Sequence, residues 1–129
     1  MLYVDVPSES DLRALAAHRG EASVSIYLPT TPLSQQAAAD RVEFGNLVKE
    51  ALRQLRARGA DKRQVAALEE QLEDLTSDDE FWRFQARSLA VFATPENVRT
   101  FRVASGRSIG VEVSVRFHRS PLLRGVSFC

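Results

Sequence analysis

Two histidines, His18 and His118, and a single cysteine, Cys129, are the chain's only imidazole and thiol groups. A zinc site needs three or four such donors at ligand spacing, so no metal and no cofactor is expected. The acidic run Glu69, Glu70, Glu73, Asp74, Asp78, Asp79 and Glu80 lacks the alternation and central glycine of a calcium loop. It reads as a solvated helix face. "SGRSIG", residues 105–110, has two glycines but no phosphate-loop Lys-Ser/Thr, and is expected to be a hairpin turn. His118 stands at a strand end where it can serve as a base for a serine, although a hydrogen-bonded structural histidine is the stronger reading. No enzyme signature emerges.

Charge is the more informative chemistry. The formal net charge is zero, yet the signs are segregated. Lys49, Arg53, Arg56, Arg58, Lys62 and Arg63 form a basic block, followed by the acidic run just described. From Arg83 onward eight arginines face only two acids, Glu96 and Glu112. Such asymmetry fits a polyanion-binding face, or helix faces whose charges pair with one another. Trp82, beside Phe81 and Phe84, offers a stacking platform for bases, but anchoring helices onto a sheet is the better use of three large rings.

These residues need elements to position them. The composition is that of one soluble domain: 129 residues, 44% hydrophobic and 26% charged. No secretory signal or membrane-length apolar stretch is present in the sequence, and one cysteine fits a reducing compartment, so a cytoplasmic location is expected. Ser8 and Asp11 make a capping box opening a short helix to about His18, ended by Gly20, with Leu12 and Leu15 facing the core. Val24, Ile26 and Leu28 alternate with Ser23, Ser25 and Tyr27 as a strand does. After a loop over 29–39, Asp40 is expected to cap a helix whose apolar stripe is Phe44, Leu47, Val48, Ala51, Leu52 and Leu55. Gly59 ends it, Asp61 caps a second helix bearing Val65, Leu68, Leu72 and Leu75, and the two form an antiparallel hairpin.

A helical turn over "DDEFWRF" precedes "SLAVFAT" (88–94), an interior strand, which pairs through "PEN" with 98–104. Residues 111–117 alternate Val111, Val113, Val115 and Phe117 with polar residues, predicting a sheet with one packed face and one open to water or a partner. The expected fold is α+β. It has a roughly four-stranded, mixed or antiparallel sheet, a helix hairpin inserted after the first strand, and a short N-terminal helix.

Four segments, "SVSIYLPT" (23–30), "DRVEFGNLVKEA" (40–51), "FWRFQARSLAVFAT" (81–94) and "VRFHRSPLLR" (115–124), stand in the order and approximate spacing of one known family. Over roughly residues 22–124 the chain resembles the bacterial archaeo-eukaryotic release factor family. Members look like three domains, and the segments here belong to the first. The family's relatives hydrolyse peptidyl-tRNA through a Gly-Gly-Gln motif in the middle domain and read stop codons through first-domain motifs such as Asn-Ile-Lys-Ser. Neither motif occurs here. What the resemblance implies is a non-catalytic domain working at the ribosome or on RNA.

On that basis the RNA-binding candidates are Thr30, Thr31, Gln35, Gln36 and Arg41 around the first loop, with Arg116 and Arg119 near the last strand. Turn and cap chemistry is the competing role for Thr30, Asp40 and Arg41. A protein-interaction or homodimerisation domain is the alternative function, and a small hydrolase the least favoured. Pro121 is expected to stop the last strand and 121–129 to start a linker toward a further domain of the same protein.

Overall fold

The computed structural model describes residues 8–17, 22–30, 37–83, 85, 88–103 and 110–114. The elements run α1 (Glu9–Ala17), β1 (Ser23–Pro29), α2 (Ala37–Ala57), α3 (Lys62–Thr76), α4 (Asp79–Arg83), β2 (Ser88–Ala93), β3 (Val98–Val103) and β4 (Gly110–Ser114). The strands form one sheet in the order β3-β2-β1-β4. In register, Ile26 of β1 faces Val91 of β2 on one side and Val111 of β4 on the other. Across β2–β3, Ala90 faces Phe101.

Several expectations are corrected. Every strand pair is antiparallel, so the sheet is not mixed. Its described core-forming side chains come from a three-stranded antiparallel unit, β1–β3, with β4 added along the free edge of β1. There are four helices among the described residues, the helical turn expected at "DDEFWRF" being α4. β3 and β4 do not pair as a hairpin, since they lie at opposite edges with β2 and β1 between them; residues 104–109 lie outside the described residues. Local turn composition carries no information about which edge the chain returns to. Along Ser23–Leu28 of β1 and throughout β2 the residues of both faces are buried, whereas the side chains of 111–117, for which an open face is expected, are outside the description. Residues 115–117 and the 121–129 tail lie outside the described residues, as do His18, Gly20, Phe84, His118 and Cys129.

On one face, Val24, Ile26, Leu28, Leu89 and Val91 pack against Phe44, Val48, Leu52, Leu55, Leu68 and Leu72 of the hairpin. Trp82 locks this layer. Its ring sits 5.1 Å from Phe44 and 5.2 Å from Phe81, and its Nε1 donates to the Leu75 carbonyl at 3.0 Å. On the opposite face Leu15 and Leu12 of α1 cover Tyr27, Ala90, Phe92 and Phe101. The capping box is as expected: the Ser8 N–H donates to Asp11 Oδ2 at 2.8 Å, and the Asp11 N–H donates to Ser8 Oγ at 3.0 Å.

Candidate nucleic-acid interface

Of the sequence-predicted site residues, Thr31, Gln35, Gln36, Arg116 and Arg119 lie outside the described residues. Thr30 is half-buried and has a partner. Arg41 is committed to the fold. Its Nε donates to the Thr76 carbonyl at 2.6 Å and its Nη1 to Asp79 Oδ1 at 2.7 Å. Arg41 thereby ties the start of α2 to the end of α3 and the start of α4. Asp40 does not cap α2, which begins three residues earlier at Ala37; it sits in the first turn, where a carboxylate favours the helix dipole. Three alanines, good helix formers, extend the helix upstream of the expected cap.

The stretch 106–110, Gly106-Arg107-Ser108-Ile109-Gly110, also spells G-x-S-x-G, the spacing of a nucleophile elbow. A nucleophile elbow needs a strand leading into a helix. Here Gly110 opens strand β4, so the required context is missing.

The opposite end of the hairpin is the better-built surface. Gly59 adopts φ 75°, which a glycine tolerates without strain. The Gly59 N–H donates to the Arg56 carbonyl at 3.0 Å and the Ala60 N–H to the Leu55 carbonyl at 3.0 Å. These two bonds are the Schellman closure of a helix. Asp61 then caps α3, accepting from the Gln64 N–H at 3.2 Å. The reversal between α2 and α3 is therefore fixed by its own hydrogen bonds.

Around this fixed tip stand Arg53, Arg56, Arg58, Lys62 and Arg63. Arg53 pairs with Glu50 at 2.6 Å and Arg56 with Glu69 at 3.2 Å. The Arg53 guanidinium, with the Gln54 amide adding to it, pulls the Glu50 carboxyl down to about 2. Arg58, Lys62 and Arg63 are exposed and have no acidic partner among the described residues. The second half of α3 carries the exposed acids Glu70, Glu73 and Asp74, away from the basic tip. At the tip a cavity of about 500 Å³ opens between the helices, with Ala60, Val65 and Ala66 as apolar lining and Arg56, Lys62 and Glu69 supplying charge.

No cluster of three or more metal-ligating side chains occurs among the described residues, and no described helix is long and apolar enough to cross a membrane. Compared with known proteins, the chain matches no family model and no curated protein.

Proposed function

We propose that this chain is a non-catalytic binding domain that contacts RNA or the ribosome in the cytoplasm, in the manner of the first domain of the release-factor-like family it resembles. The observation that supports this reading is the rigid hairpin tip with Arg58, Lys62 and Arg63 left unpaired. Unpaired cations on a pre-organised projection meet phosphates without first breaking internal ion pairs, and neutralising phosphates releases counterions. Among the described residues the surface that fits this role is the turn between α2 and α3, while Thr31, Gln35, Gln36, Arg116 and Arg119 lie outside them.

The test is binding of purified ribosomes and of RNA across a salt series. Arg58→Glu, Lys62→Glu and Arg63→Glu together are expected to abolish binding at about 50–100 mM salt and to flatten the salt dependence. Arg41→Gln, which touches only the fold, is expected to leave binding intact. Absence of binding by the unaltered chain at the lowest salt overturns the proposal.

A further inference from the structure

The cavity beside the tip is unused by a purely electrostatic contact, and its chemistry is mixed. Ala60, Val65 and Ala66 give it a small apolar lining, and the Arg56 guanidinium, the Lys62 ammonium and the Glu69 carboxylate line it as well. Arg56 does not hang free, because Nη2 donates across the hairpin to Glu69 Oε2 at 3.2 Å. A guanidinium tethered at one edge keeps its flat face available for stacking, as arginine planes do with unpaired bases. Short side chains at Gly59, Ala60 and Ala66 leave room that bulkier residues would fill, and the volume of about 500 Å³ suits a nucleotide-sized ligand.

We infer that this cavity receives one unstacked nucleotide, its base between the Arg56 plane and the Ala60–Val65–Ala66 lining, its phosphate toward Lys62. This rests on the RNA-binding reading above and adds selectivity to it. A base inside an A-form duplex is stacked and cannot enter, so the site discriminates single-stranded or looped RNA from duplex. The remaining cations of the tip serve both forms alike.

Fluorescence anisotropy with an unstructured RNA oligomer and a duplex of equal length tests this. Ala66→Phe fills the cavity from an exposed helix position, and Arg56→Lys keeps the charge and removes the plane. Each is expected to weaken single-strand binding about tenfold, with duplex binding unchanged. Loss of both forms together, or of neither, overturns the inference while leaving the RNA-binding proposal standing; no RNA binding by the unaltered chain removes both. A parallel titration with adenosine monophosphate, read at the amides of Gly59, Ala60 and Ala66, separates the sources of the nucleotide. Shifts with the mononucleotide assign the site to nucleotides in general, and shifts only with the oligomer assign it to a strand. No shifts with either overturn the inference.

Discussion

The same two strands present very different faces to the two sides of the sheet. Toward the hairpin, β1 and β2 offer Val24, Ile26, Leu28, Leu89, Val91 and Ala93, at most 1% exposed and apolar without exception. Toward α1 they offer Ser23, Ser25, Tyr27, Ser88, Ala90 and Phe92, equally hidden from water but half of them serines. Those serines are not vacancies in the packing, since each has an interaction partner. The alternation of residue type along β1 thus marks a change in the kind of burial rather than a change from buried to exposed. The hairpin side packs against two long helices, whereas the α1 side packs against one nine-residue helix through Leu12 and Leu15, with a capping box at its start and an ion pair from Asp11 to Arg99.

The largest test of this contrast is Trp82→Ala. The ring is 2% exposed, touches Phe44 and Phe81, and bonds the Leu75 carbonyl, so its removal opens a cavity and takes away one of that carbonyl's bonds, the Asp78 N–H remaining on it. A loss of about 3–5 kcal/mol in urea unfolding, followed by circular dichroism, is expected. Leu15→Ala is the counterpart on the other face. Leu15 is 1% exposed, but its helix is short and its neighbours few, so about 2–3 kcal/mol is expected, near the lower end for such truncations. Hydrogen exchange should quicken in α1 and leave α2 protected. Equal losses at the two sites, with exchange rising everywhere, would show that the faces are one cooperative unit and break the comparison.

The hairpin was legible in the sequence because everything that makes it is local. Its apolar stripes repeat at helical spacing, Gly59 supplies the left-handed residue, and Asp61 sits where a cap must sit. The placement of β4 was not legible. Strand order is decided by distant contacts, here Val111 opposite Ile26 and Val113 opposite Val24. A glycine-bearing connection looks the same whether it joins neighbours or crosses the sheet's end. Arg41 illustrates the same limit at the level of a site. Its partners Thr76 and Asp79 lie 35 and 38 residues away, so no motif announces that this arginine is already occupied. Conversely the tip's importance comes from which cations lack partners, a property of the folded surface and not of the basic block as a string.

The smallest expected effect, and the one that belongs to the α1 face alone, is its response to acid. The Ser8 backbone N–H, then the Ser8 hydroxyl and more weakly Arg99, hold the Asp11 carboxyl below the usual carboxylate value of 3.8. Arg99 Nη1 stands 3.4 Å from Asp11 Oδ1, joining α1 to the edge strand β3. A carboxyl that is more acidic when folded stabilises the fold above its unfolded value, and that contribution disappears as pH falls toward its depressed value. Glu50, lowered in the same sense by Arg53 and Gln54, adds a similar acid response on α2, so the unaltered chain alone does not isolate the effect. The comparison of Asp11→Asn with the unaltered chain does. The variant is expected to lie about 0.5–1 kcal/mol below it at neutral pH, the ordinary worth of a partly exposed cap. That gap should narrow as pH drops below about 4. A constant gap across the acid range would mean that Asp11 acts by shape and not by charge, and that the α1 face is held by its leucines in the same way as the hairpin face.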